Sequence, residues 1–171
     1  MSDPSTFYRL AAMVALLTRK AAVGRTALNQ LLWFADAAHV LKFGRTISGS
    51  TYARWPSGPL PADIDTVRRV LIKRHLIVEQ ITESARHRSY AYQATARNID
   101  FKVLRQEFRK SERKIIKAVT RSLGGQPARY LLERSHSFES WIRTSPGEDI
   151  DFTLVRSDEK LRRWLIEKEI L

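Results

Sequence analysis

Asp36 and His39 are the two residues of this chain best placed to do chemistry. They lie three apart in the helix-forming stretch LNQLLWFADAAHVLKF, so both side chains emerge near one edge of the same helix. A carboxylate beside an imidazole at that spacing can move a proton or give a metal two ligands. The rest of such a site is missing. The four histidines, His39, His75, His87 and His136, form no HxH or HExxH pattern, and the chain has no cysteine. Glu148, Asp149 and Asp151 make an acidic loop, and such a loop is far more often solvated than cation-binding. No phosphate-binding glycine loop, nucleophile elbow or triad pattern occurs. A lone histidine on the core face of a helix usually packs and hydrogen-bonds. These residues argue against an enzyme, and imply no cofactor and no metal.

The cations make a different case. Net charge is +12 with a pI of about 10.5, and it is concentrated. Residues 102–134 hold ten Lys or Arg against three Glu, whereas 135–171 hold six against eight acidic residues. In the centre of that basic stretch Lys102, Arg105, Arg109, Arg113, Lys117 and Arg121 fall along one predicted helix, with Glu107 and Glu112 within pairing reach. A second group is Arg68, Arg69, Lys73 and Arg74 on a helix, followed by a hairpin tipped with Arg86 and Arg88. Helix then basic hairpin is the order of a winged helix, which would set the first four against phosphates or base edges and the last two in a minor groove. Both groups suit an acidic partner, nucleic acid or protein, and both also suit a solvated helix face.

The elements that must position these residues follow from periodicity and punctuation. A chain of 171 residues with 43% hydrophobic content can bury one core. Asp3 and Pro4 open a first helix ending near Lys20, with Phe7, Leu10, Ala11, Val14 and Leu17 at helical spacing. That pattern, interrupted by Arg9, fits a core helix rather than a leader, and no run approaches a membrane span. A cytoplasmic setting is expected. A second helix runs from after Thr26 to Phe43 and stops at Gly44. Residues 45–60 are non-helical: Thr46, Ile47, Thr51 and Tyr52 favour extended chain, and Trp55 precedes Pro56. A third helix spans 63–74, with Asp63 and Asp65 near its positive end. Ile77–Thr82 and Ser89–Ala94 alternate as two strands of a hairpin. One long helix is expected over Phe101–Leu123, closed by Gly124 and Gly125, then helices over Pro127–Glu133 and Ser137–Arg143, a loop over Ser145–Asp151, and a last helix from Asp158. The fold class is α+β, predominantly helical: a compact helical domain with a small antiparallel hairpin.

One stretch says more than its parts. Leu28-Asn29-Gln30-Leu31-Leu32-Trp33-Phe34-Ala35-Asp36 is followed by His39, Gly44-Arg45, Ile47-Ser48-Gly49, Thr51-Tyr52 and Pro56-Ser57-Gly58-Pro59. This pattern resembles the Panacea domain, also described as the SocA-like or phage-associated GepA-like family. The resemblance implies an antitoxin of a type II toxin–antitoxin pair. Such proteins are encoded beside varied toxins and neutralise them by direct binding, and one member delivers its toxin to an AAA+ protease. Some members carry an added DNA-binding region for autoregulation; no separate one is visible here, so operator DNA would have to meet the basic surfaces above. The implied partners are a cognate toxin, an AAA+ protease and operator DNA, with no membrane. Residues 1–134 are expected to form the Panacea-like domain and 135–171 a helical extension packed on it.

Within the motif, Asn29, Asp36, His39, Gly44, Arg45, Gly49, Tyr52, Pro56, Gly58 and Pro59 are better suited to scaffolding than to catalysis. Asp36 and His39 are placed to hydrogen-bond the following loop, and Gly49 and Gly58 to supply backbone conformations other residues resist. Tyr52 and Trp55 are either anchors for a partner or core fillers beneath the loop. Arg105, Arg109, Arg113, Lys117 and Trp164 complete the candidate partner surface.

Overall fold

A computed structural model describes residues 3–171. Everything is built around one helix. After α1 (Pro4–Leu17) and the two-residue strand β1 (Val23–Gly24) comes α2 (Arg25–Phe43), in which every residue from 28 to 41 is buried. A helix covered all round is a central element rather than an amphipathic one. Its polar residues therefore face protein, which decides their role. α1, α5, α6, α8 and the following hairpin enclose α2.

Pro4 sits in the first turn of α1, where its missing N–H costs nothing. The helix ends at Leu17 rather than near Lys20. Thr18 turns its hydroxyl back onto the Val14 carbonyl (2.8 Å), and its own carbonyl accepts from Ala94 N–H (3.1 Å), so a strand captures the chain there.

Between α2 and α3 (Ile64–Lys73) lies a hairpin of β2 (Tyr52–Trp55) and β3 (Gly58–Pro61), joined by the two-residue turn Pro56-Ser57. The sequence shows a turn here but not the strands, since β3 is Gly-Pro-Leu-Pro. Proline is tolerated because β3 is an edge strand. The other edge of β2 is occupied: Arg54 N–H donates to Glu148 O (2.8 Å) and Ile150 N–H to Tyr52 O (2.7 Å), so loop 145–151 lies alongside.

β4 (Ile77–Ser84) and β5 (His87–Ala94) form the expected hairpin, two residues longer on each strand, around the tight turn Ala85-Arg86. β1 pairs with β5 through Val23 and Tyr92, giving the sheet order β1-β5-β4. Two residues are too few to show a strand period, so this third strand has no sequence signal. The order α1, β1, α2, α3, β4, β5 is that of a winged helix with the β2–β3 hairpin inserted before its third helix.

The long helix expected over 101–123 is two: α4 (Phe101–Gln106) and α5 (Lys110–Leu123). Arg109 is extended (φ −64°, ψ 159°), and its N–H is taken by the Glu112 carboxylate (2.7 Å). That bond starts a new helix, and Phe108 turns inward, 2% exposed. α6 (Ala128–His136), the single turn α7 (Glu139–Ile142), α8 (Phe152–Arg156) and α9 (Glu159–Glu167) follow. Asp151 caps α8 at Thr153 N–H (2.8 Å) and Asp158 caps α9 at Leu161 N–H (2.9 Å). This segment meets α2 through rings: Phe34 lies 4.9 Å from Trp164 and 6.4 Å from Phe138. Among the described residues no helix is long and apolar enough to cross a membrane.

Candidate functional site

Asp36 is wholly buried, and its carboxylate holds the chain that follows α2. One oxygen accepts from the backbone N–H of Ile47 (2.6 Å) and of Ser48 (2.9 Å). The other accepts from the Tyr52 hydroxyl (2.6 Å) and from the Ser48 hydroxyl. Burial pushes the Asp36 pKa up, and the bonds from Ser48 and Tyr52 offset only part of that rise. The Tyr52 phenol is raised well above its ordinary value, first by burial and then by the adjacent Asp36 charge. Tyr52 also packs edge-on against Trp33 at 5.2 Å.

His39 belongs to a separate contact. Its Nδ1 lies 2.6 Å from the Arg45 carbonyl; a carbonyl only accepts, so Nδ1 carries the proton and donates. Asp36 and His39 are both 0% exposed and have different partners, so the pair presents no acid–base dyad to solvent. Gly44 ends α2 in the left-handed region (φ +76°), and its N–H reaches Val40 O at 2.8 Å. Gly58 (φ +93°) has no room for a side chain: a Cβ there would collide with the Gln30 amide and stand 3.0 Å from Leu132 Cδ1. Gln30 Nε2 donates to the Ser57 carbonyl (3.1 Å), tying the hairpin turn to α2. Asn29 Oδ1 accepts from Arg68 at 3.4 Å. Pro59 is buried opposite Arg54, while Pro56 and Arg45 are exposed. The motif is a clamp that fixes loop 44–61 on the central helix.

Three site assignments made from the sequence are corrected. Tyr52, at 0% exposure, is not a partner anchor but part of the Asp36 clamp. Trp164 is 6% exposed and packs on Phe34 and Phe138 at 4.9 and 5.6 Å. Arg68 is 3% exposed, reaches Asp65 and Asn29, and lies 5.4 Å over the Tyr92 ring, so it faces the core instead of DNA. Trp55, by contrast, is 49% exposed beside the hairpin turn. Arg69, Lys73, Arg74, Arg86 and Arg88 are exposed, with Arg88 paired to Glu83.

The basic helix keeps its charge outward. Arg105, Arg109, Lys110, Arg113, Lys114 and Lys117 are all exposed, and Arg121 meets Glu169 at 3.4 Å. Glu112 does not neutralise this face. It is 3% exposed and turned inward, accepting from Arg109 N–H and pairing with Arg9 at 3.0 Å. Burial opposes its ionisation, but those two partners outweigh burial and hold its pKa below the usual value.

The sequence model of the family described as antitoxin SocA-like, Panacea domain, matches residues 28–142, which is 115 of the 171 residues. This chain belongs to that family. No curated protein and no solved structure matches it. The match begins at Leu28, where the buried stretch of α2 begins, and spans the whole clamp together with α3, the β4–β5 ribbon and α4 through α7.

One feature of this Panacea-domain protein has no counterpart in the sequence reading. α1, the end of α3 and α4 enclose a groove of about 550 Å³, lined chiefly by Phe7, Ala11, Ala15, Leu76, Val103 and Leu104. Tyr8 and Val103 stand on it 70% and 55% exposed. The only available signal was an apolar residue off the core period in each of two helices, and single exposed apolar residues are ordinary.

Proposed function

We propose that this chain neutralises a cognate toxin by direct contact, through the apolar groove and the basic face of α4 and α5. The observation that carries the reading is the groove: large apolar side chains stand exposed around a concave surface that no described residue covers. An apolar centre with a polar rim suits a protein partner better than a nucleic acid. α4 joins the two parts: Val103 and Leu104 line the groove beside Asp100 and Glu107, while Lys102 and Arg105 are exposed on the same helix outside that lining. Along α5 the cations continue through Lys110, Arg113, Lys114 and Lys117, with the helix's one acid facing away. Such a basic face beside the groove favours an acidic toxin surface and speeds encounter more than it adds affinity. The contact acts by occupancy and asks for no chemistry. The same complex would serve an adaptor that passes the bound toxin to an AAA+ protease.

The test is co-expression with the product of the neighbouring reading frame. That product should arrest growth alone, and this chain should restore it. Tyr8→Asp with Val103→Asp should abolish rescue while leaving the melting temperature near wild type, since both side chains are exposed. A harmless neighbour, or undiminished rescue by the double variant, would overturn the reading.

A further inference from the structure

We propose that the exposed edge of α3 and the distal half of the β4–β5 ribbon form a binding surface for duplex DNA. This goes beyond toxin neutralisation and does not rest on it. The first observation is topological: α1, α2 and α3 with the sheet order β1-β5-β4 place α3 and the ribbon as a winged helix places its recognition helix and wing.

The second observation is how α3 divides. Ile64, Val67, Leu71 and Arg68 turn inward, while Asp65, Thr66, Arg69 and Lys73 share an exposed arc of about 100°. Arg69 reaches only the Thr66 hydroxyl (3.2 Å), and Lys73 has no acidic partner among the described residues. Two of the acids near this surface, Asp65 and Glu83, are paired with arginines, and Asp63 and Asp149 lie at its first turn. Arg25 (2.9 Å) and Arg68 flank Asp65 and hold its pKa low against the opposing effect of burial, and Glu83 is taken by Arg88. Asp149 stands near Thr66 in the wall of a shallow pocket at the first turn of α3. Phosphates are thereby directed to the later turns, at Arg69 and Lys73, since Arg74 lines the apolar groove on the other side of α3.

The third observation is the ribbon. Residues 82–89 are exposed on both faces, and Arg86 occupies the turn with no ion pair among the described residues. Two strands extending beyond their support gain little stability from each other. Carrying a cation at the tip, they match a groove flanked by phosphates.

The test uses the full chain and fluorescence anisotropy with a labelled duplex taken from just upstream of its own reading frame. Wild type should bind with a steep dependence on salt. Arg69→Glu with Lys73→Glu, and separately Arg86→Glu, should each weaken binding by about tenfold or more and flatten the salt slope. Lys110→Glu with Lys117→Glu, on α5, should stay within about twofold of wild type. Absence of binding overturns the proposal. So does an equal loss from the α5 variant, which would mean diffuse attraction to a basic protein. Intact DNA binding with loss of toxin capture in the α3 and ribbon variants would make this face a protein interface and also overturns it.

Discussion

A carboxylate with four donors is the point on which loop 44–52 depends. Removing it strands three or more buried polar groups, each costing about 1–3 kcal/mol. Asp36→Ala should therefore cost about 3–5 kcal/mol in chemical denaturation, and Tyr52→Phe about 1–2 kcal/mol. In a double-mutant cycle the two should be strongly non-additive. Asp36 also sets a sign for pH. Its folded pKa lies above its unfolded value, so its contribution is complete at low pH and is lost as pH rises through the folded pKa. Glu112 runs the other way, because its folded pKa is depressed. Its contribution is present above the unfolded pKa and lost as pH falls through the folded one. Glu112→Gln should destabilise by about 1–3 kcal/mol at neutral pH, and the gap from wild type should narrow as pH falls below the ordinary glutamate range and close once it passes the lowered folded pKa. Denaturant melts across pH would show it; a gap independent of pH would contradict the Arg9–Glu112 pairing.

At the scale of elements, the sequence was legible where punctuation and period agree. Pro4, Gly44, Asp158 and the alternation of Ile77 to Thr82 each mark a boundary the structure keeps to within a few residues. It misled where tertiary contacts override the local pattern. Residues 101–123 keep a helical period through Leu104, Phe108, Ile115 and Val119, yet the bonds of Glu112 to Arg109 and Arg9 break the run. β1 is visible only through its partner β5, and β3 is masked by two prolines. In the motif, the scaffold role of Asp36 and His39 was readable from their place before a glycine stop and an extended loop. The burial of Tyr52 and Arg68 was not, since an aromatic or an arginine at such spacing suits surface and core alike. The hairpin turn carries its own test. Gly58→Ala forces a side chain onto Gln30 at φ +93°, and should cost about 2–3 kcal/mol, whereas Ser57→Ala, an exposed change that leaves the Ser57 carbonyl to Gln30, should be nearly neutral in the same thermal melt.

The whole molecule separates rigidity from recognition. The Panacea match takes in the buried clamp and also the exposed ribbon and the basic face of α4 and α5, so it names the family without singling out a partner surface. The outer surfaces are distinct in kind: an apolar groove on α1, α3 and α4 beside the basic face of α4 and α5, and a cationic edge on α3 and the ribbon. The central claim is that the first of these captures the toxin. Titration calorimetry between the purified chain and the product of the neighbouring reading frame tests it most directly. The account predicts a tight one-step isotherm, weakened about a hundredfold by Tyr8→Asp with Val103→Asp and made less salt-dependent by Lys110→Glu with Lys117→Glu. Wild-type affinity in both variants would contradict it.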